Sequence, residues 1–256
     1  MSYLCAVTRR QIKIELFIVF AISLGYSGVV AFVQIIQNAT ATHGHLNRLI
    51  TAPIVGSRAP NRHWFDLVYQ LLSIGRAVIP VLLVLYLLSL SGEKPFKVLG
   101  IDGTQPRRDV LRGAVLAAVV GGSGLLLYLV ARHAGANLNV VATNLPDVWW
   151  RIPVLILAAA ENALLEEVLV AGYLVHRLGQ LGWSPWKAAS ASAILRGSYH
   201  LYQGLGGFLG NAVMGLLFAR LYQRWGRVMP LFIAHTIIDS VAFVGYILLK
   251  DHVSWI

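Results

Sequence analysis

The sequence predicts an all-α, polytopic membrane bundle of about seven helices, within a range of six to eight, on three observations. Of the 256 residues, 57% are hydrophobic and only 12% charged, too little polar surface to coat a water-soluble globule. Mean hydropathy is +0.67, carried by uninterrupted runs such as residues 78–90 and 113–130. Windows of about 20 apolar residues, the length of one helical crossing, begin near Ile14, Leu67, Leu111, Pro153, Trp186, Leu205 and Met229. Disorder, collagen and disulfide scaffolds are excluded. The single cysteine, Cys5, can form no intrachain bridge. The net charge of +10 falls between apolar runs, where Lys and Arg orient spans and meet anionic headgroups, so nucleic-acid binding is not expected.

The first window, residues 14–36, follows Arg9, Arg10 and Lys13 and precedes Ala39-Thr40-Ala41, a pattern that imitates a cleaved secretory signal. It is longer than a signal's apolar region and is expected to be an uncleaved anchor. The second window carries Arg76 about ten residues in, where snorkelling toward the headgroups is the expected behaviour. Residues 38–66 and 91–109, rich in Pro, Gly, Asn and His, read as ordered loops. The clusters Gly121-Gly122-Ser123-Gly124 and Gly206-Gly207-Phe208-Leu209-Gly210 are expected to let helices approach closely. Residues 1–140 then form an N-terminal region of three spans, and residues 141–256 a region of four.

Basic residues on alternate loops set the orientation. With the N-terminus cytosolic, thirteen of the 21 lie on the cytosolic side and six outside, Arg48 and Arg132 among them. The expectation is an integral membrane protein, of a prokaryotic plasma membrane, with a cytosolic N-terminus.

An ionisable side chain at the centre of a span costs about 2.5 to 3.5 kcal/mol, so such residues face a cavity and one another. The second half of the chain holds nearly all of them: Glu161, Glu166 and Glu167 in the fourth window, Arg196 and His200 in the fifth, His235 and Asp239 in the seventh. Counted at about 1.5 Å per residue from the nearest cytosolic basic residue, Glu166, His200, His235 and Asp239 lie roughly 12 to 20 Å deep. Arg196 and His200 are four apart, as are His235 and Asp239, so each pair shares a helix face. Glu166 and Glu167 differ by about 100° on a helix, which predicts that one enters the site while the other contacts a neighbouring helix or backbone. Glu161 and Asn162 read as satisfying nearby backbone or water.

At these residues the chain resembles the CPBP family of intramembrane glutamate endopeptidases, which includes type II CAAX prenyl endopeptidases and bacteriocin-processing or self-immunity proteins. The family pattern is Glu-Glu-x-x-x-Arg, Phe-x-x-x-His and His-x-x-x-Asn or Asp. Here it corresponds to Glu166-Glu167-Val168-Leu169-Val170-Ala171, Arg196-Gly197-Ser198-Tyr199-His200 and His235-Thr236-Ile237-Ile238-Asp239. The resemblance covers residues 153–249. Ala171 stands where the family has arginine, and Arg196 where it has phenylalanine, so Arg196 is expected to supply the displaced cation to Glu167 or Asp239.

The resemblance implies a peptidase acting on a membrane-associated peptide or protein. Glu166 would be the general base, His200 would orient water, and His235 with Asp239 would stabilise the oxyanion, Glu167 completing the catalytic set. Three ionised acids beside one arginine would leave excess negative charge in the membrane, so at least one proton is expected to be shared, with Asp239 a candidate to hold it. No cofactor is expected; zinc stays open, with Glu166, His200 and His235 as its ligands if present, although no His-Glu-x-x-His string occurs. A catalytically inactive scaffold or immunity protein, or a proton-coupled transporter, is the alternative.

Overall fold

The computed structural model describes residues 7–41, 53–134, 141–250 and 252; Cys5 and Arg48 lie outside the described residues. Each of the seven apolar windows is helical. Thr8 opens α1 (Arg9–Ala21) through a reciprocal capping box with Gln11. α2 (Leu24–Ala41) follows after a bend of 51°, so the first window is a broken rather than a straight helix. α3 (His63–Leu90) carries Pro80 within it. A single turn, α4 (Pro95–Val98), leads to α5 (Pro106–His133).

The fourth window is α6 (Arg151–Glu166), which passes without a break into a π-helical segment (Glu167–Leu174) and then α7 (Val175–Gln180). Ser184 caps α8 (Pro185–Tyr199), which has Pro185 in its first turn. A 3₁₀ turn (Leu201–Gln203) connects it to α9 (Leu205–Trp225), and α10 (Met229–Leu249) closes the bundle.

By length and apolarity, α3, residues 106–130 of α5, α9 and α10 are each suited to cross a bilayer, and the bent α1–α2 pair makes a fifth candidate. α8, at 15 residues, rises only about 22 Å, short of the roughly 30 Å hydrocarbon core. The surface is inverted relative to a soluble protein: Phe17, Leu72, Leu111, Leu126, Val213 and Val241 are all more than 60% exposed, as a lipid-facing exterior requires. Aromatic rings mark the two ends. Trp64 and Trp149 meet at 6.4 Å at one; at the other, Arg220 lies 4.3 Å over Trp186 and Arg112 lies 4.5 Å over Trp225.

α6 packs between α3 and α10, α8 packs against α9, and α2 rests on α8 and the 3₁₀ turn. At the Trp64 end, Val55 and Thr143 pair as a single parallel bridge. Asp66, fully buried, accepts the Ser57 hydroxyl at 2.6 Å and the Arg58 amide at 2.9 Å. At the opposite end Arg227 grips Asp109 from Nε and Nη2 at 2.9 and 2.7 Å and reaches Asp102 at 2.9 Å. The Thr104 hydroxyl, then Arg227, hold the Asp102 carboxyl down at about 2.

The glycine clusters behave differently from each other. Gly210 sits against Leu127 of α5, the close approach expected, while Gly207 packs on Gln203 of the turn that precedes its own helix. In the other cluster a Cβ on Gly121 would meet Ile238 of α10 at 3.4 Å, while Gly122 and Gly124 have no neighbour within 4 Å among the described residues. The tightest contact on α5 is made by Gly113, where a Cβ would come within 2.6 Å of Ile233 on α10. The face of α5 that packs is set by Asp109, Gly113, Ala117 and Gly121, four residues apart, so the cluster contributes its first glycine to it.

Candidate functional site

α6, α8 and α10 bring all six predicted side chains together. Arg196, on the last turn of α8, is completely buried. Its Nη1 lies 2.7 Å from Glu167 Oε1 and its Nη2 lies 3.2 Å from Glu166 Oε2. The guanidinium rests 5.4 Å over the Phe218 ring of α9. Gly215 makes room for it, since a Cβ there would come within 3.0 Å of Arg196 Cδ. Glu166 faces His200 while Glu167 contacts the neighbouring helices α8 and α10, the division expected, yet both carboxylates also converge on one guanidinium. A single planar fork is wide enough to receive two carboxylates side by side, and the helix changes from α to π between these two residues, as π segments often do at functional positions.

Glu167 Oε1 also meets His235 Nδ1 at 2.8 Å. The other ring nitrogen of His235 faces Asp239 Oδ2 at 3.3 Å, so the imidazole bridges two acids from a buried position. His235 therefore stands between Arg196 and Asp239, and the cation reaches the glutamate pair rather than Asp239. With the shared proton on His235 in place of Asp239, both ring nitrogens carry hydrogens and each donates to the carboxylate it faces. The 3.1 Å approach of Arg196 Nη2 to His235 Nδ1 then sets two donors side by side, Nη2 turned to Glu166 Oε2 and Nδ1 to Glu167 Oε1. Glu167 Oε2 is buried without a hydrogen-bond partner among the described residues.

His200 caps the C-terminus of α8. Its Nδ1 lies 2.9 Å from the Arg196 carbonyl, which can only accept, so Nδ1 carries the hydrogen. Nε2 is left facing Glu166 Oε1 at 3.9 Å, too far for a direct bond but bridgeable by one water lying about 2.8 Å from each.

Two residues were not picked out by sequence. Tyr199 donates its buried hydroxyl to Glu166 Oε2 at 2.9 Å, fixing one oxygen of the carboxylate and leaving the other toward His200. Asn162, read from sequence as structural, donates Nδ2 to Asp239 Oδ2 at 3.2 Å. The signal for Asn162 was its place four residues before Glu166, on the same helix face. Tyr199 carried none beyond lying next to His200.

Glu166, His200 and His235 do not converge as a metal-ligand set, because the two ring nitrogens of His235 face Glu167 and Asp239. Among the described residues no group of three or more His, Cys, Asp or Glu side chains is arranged to hold a metal ion.

Residues 148–241 match the family described as type II CAAX prenyl endopeptidase Rce1-like, and this segment spans α6 to α10, the elements that build the site. Neither a curated protein nor a solved structure matches the chain.

Proposed function

From an Rce1-like endopeptidase domain at residues 148–241, carried by a membrane helix bundle, we propose that the protein hydrolyses a peptide bond of a membrane-associated protein substrate by water activated at Glu166. The observation that carries the mechanism is the 3.9 Å gap between Glu166 Oε1 and His200 Nε2. A water there donates one hydrogen to the carboxylate and the other to the bare imidazole nitrogen, which turns its lone pair outward to a carbonyl carbon.

As the water oxygen bonds to that carbon, its proton passes to Glu166 Oε1. The same proton then goes to the leaving nitrogen as the carbon–nitrogen bond breaks, which returns Glu166 to its ionised form. Tyr199 and Arg196 hold Glu166 Oε2 throughout. Negative charge that develops on the carbonyl oxygen meets donors on α10 and α6. His235 Nε2–H is held only loosely by Asp239, at 3.3 Å, and the Asn162 amide lies beyond it; preorganised donors of this kind stabilise an oxyanion in a dry site. Glu167 and Asp239 act on the substrate through His235, by fixing its ring and its two hydrogens.

Purified protein in nanodiscs should cleave a membrane-associated polypeptide, and Glu166→Gln should abolish cleavage while eluting and melting as the native protein. Undiminished cleavage by Glu166→Gln would refute the reading.

A further inference from the structure

The candidate site is built within residues 148–241, yet the bent α1–α2 pair, outside that segment, touches the elements on both sides of it. α1 is tied to the helix that carries the glutamates. Glu15 Oε2 receives Arg177 Nη2 at 2.9 Å and the Tyr173 hydroxyl at 3.2 Å. Tyr173 and Arg177 are buried, seven and eleven residues after Glu166 on the continuous run from α6 through the π segment to α7.

α2 turns 51° from α1 and lies on α8 and on the 3₁₀ turn that follows His200. Two glycines permit this course. A Cβ on Gly25 would come within 2.5 Å of the Phe20 carbonyl oxygen, so the bend needs glycine there. A Cβ on Gly28 would come within 2.7 Å of Ser198 Oγ and 3.7 Å of the Tyr199 amide nitrogen, so α2 presses on the α8 backbone itself. Leu24, Gly28 and Ala31 are buried and form one helix face. Beneath Gly28, the Tyr199 hydroxyl holds Glu166 Oε2, and Ser198 lies two residues before His200. The two sides of the 3.9 Å gap between Glu166 and His200 belong to α6 and α8; the α1–α2 pair is fastened to the run of one and pressed on the end of the other.

We propose that the α1–α2 pair is a positioning brace: Gly28, acting through Ser198 and Tyr199, sets how His200 faces Glu166, and Glu15 fixes the brace to the glutamate helix. Its effect on turnover rests on the hydrolytic reading above, although the placement of His200 does not. Gly28, Ser198 and Glu15 touch no reacting atom. They act through the pair that holds the water, where a displacement of about 1 Å can cost on the order of 10²-fold in rate.

The test crowds one contact and then relieves it. Alanine is a better helix former than glycine, so an α2 that only fills space would tolerate Gly28→Ala with turnover and melting temperature intact. The brace requires Gly28→Ala to lower kcat by about 10- to 100-fold with KM little changed. Adding Ser198→Ala removes Oγ and leaves the neighbouring Cβ at 3.5 Å, and should recover most of the loss. An undiminished kcat in Gly28→Ala, or the same loss with and without Ser198→Ala, would overturn the proposal. Should Gly28→Ala fail to fold, the pair Gly28→Cys and Ser198→Cys, with Cys5→Ser, decides. The 3.5 Å between their Cβ positions suits a disulfide, and a brace requires the oxidised protein to turn over at least as fast as the reduced one. Failure to form the disulfide, or turnover lost on oxidation and regained on reduction, would overturn the brace. NMR of labelled histidine reads the same contact without turnover: the His200 ring resonance, assigned through His200→Gln, should move in Gly28→Ala and return when Ser198→Ala is added. An unmoved resonance overturns the brace, whereas a wild type that cleaves nothing but shows this pattern overturns the hydrolytic reading alone.

Discussion

Arg196 Nη1 sits 2.7 Å from Glu167 Oε1 although the two residues belong to different helices, α8 and α6 with its π extension. The motif's own arginine position, Ala171, is a buried alanine in the π segment. The cation that faces the glutamate pair thus comes from a neighbouring helix, with Phe218 of α9 beneath it. Removing it leaves two buried carboxylates sharing no guanidinium, and loss of one partner from a buried ion pair costs about 3 to 5 kcal/mol. Arg196→Met should therefore lower the denaturation midpoint sharply and abolish turnover. Ala171→Arg combined with Arg196→Phe should recover part of either. Full stability and activity in Arg196→Met would show that the carboxylates need no cation.

In the proposed mechanism Glu166 and His200 bind one water across their 3.9 Å gap, so neither should substitute for the other. Glu166→Gln and His200→Ala should each reduce turnover by about 10²- to 10⁴-fold, the usual worth of acid–base assistance, and the double variant should be little worse than either alone, since residues acting as a unit are strongly non-additive. Additive losses would mean that the two act in separate steps.

Tyr199→Phe removes only the hydroxyl on Glu166 Oε2. Loss of a hydrogen bond to a charged acceptor is worth about 1.5 to 3 kcal/mol, or roughly a 10- to 100-fold fall in turnover if it is felt in the transition state. The ring stays to pack, so thermal stability should change far less than in Arg196→Met. Unchanged turnover would make Tyr199 a packing residue only.

Much of this arrangement was legible in sequence because it is periodic or costly. The helices follow from apolar windows, and the site residues stood out because charge inside a span demands a partner. Spacing of four placed His235 with Asp239 and Arg196 with His200 on common faces, and the structure keeps both pairs at the site. What escaped depends on geometry that spacing does not encode. The 100° rule assumes an α-helix and short side chains, and therefore separated Glu166 from Glu167, whereas a wide guanidinium beside an α-to-π junction reunites them. Arg76 is mid-span by sequence and by structure alike, the tenth residue of the window from Leu67 and the fourteenth of the 28 residues of α3. The packing face of α5 takes one glycine of its dense cluster, Gly121, and its tightest contact from Gly113, outside that cluster.

Asp239→Asn should be milder than Asp239→Ala. Asparagine still presents an oxygen to His235 Nε2 and to the Asn162 amide, whereas alanine leaves both donors without an acceptor, a loss of about 1 to 3 kcal/mol for each buried group. Comparing kcat for the two variants checks this. Equal inactivation would show that the charge of Asp239, and not its hydrogen-bonding oxygen, is required.

The clasp at the Arg227 end gives a pH dependence with a definite sign. The Thr104 hydroxyl and Arg227 hold the Asp102 carboxyl at about 2, below its ordinary 3.8. A depressed carboxyl contributes stability that is complete above its unfolded value and is lost as pH falls through its folded one. Thermal stability should therefore decline between about pH 4 and pH 2, with a shallower slope in Asp102→Asn. An identical slope in that variant would assign the acid sensitivity to other carboxylates.

Orientation in the membrane is the remaining expectation, and the packing makes it testable at two positions. α3 and α6 both start at the Trp64–Trp149 end, so one assignment fixes both. Thirteen basic residues against six predict that this end faces outward and that Lys94, beyond the opposite end of α3, is cytosolic. With Cys5 replaced by serine, a cysteine at Asn61 should react with an impermeant maleimide in intact cells, and one at Lys94 only after permeabilisation. Glu166 lies seventeen residues from Trp149 but eleven from Arg177, about 25 Å against about 17 Å along the helix. The predicted labelling places the reacting water closer to the cytosolic leaflet, so a substrate entering from that side has the shorter path; reversed labelling would assign the shorter path to the other face without moving any residue of the site.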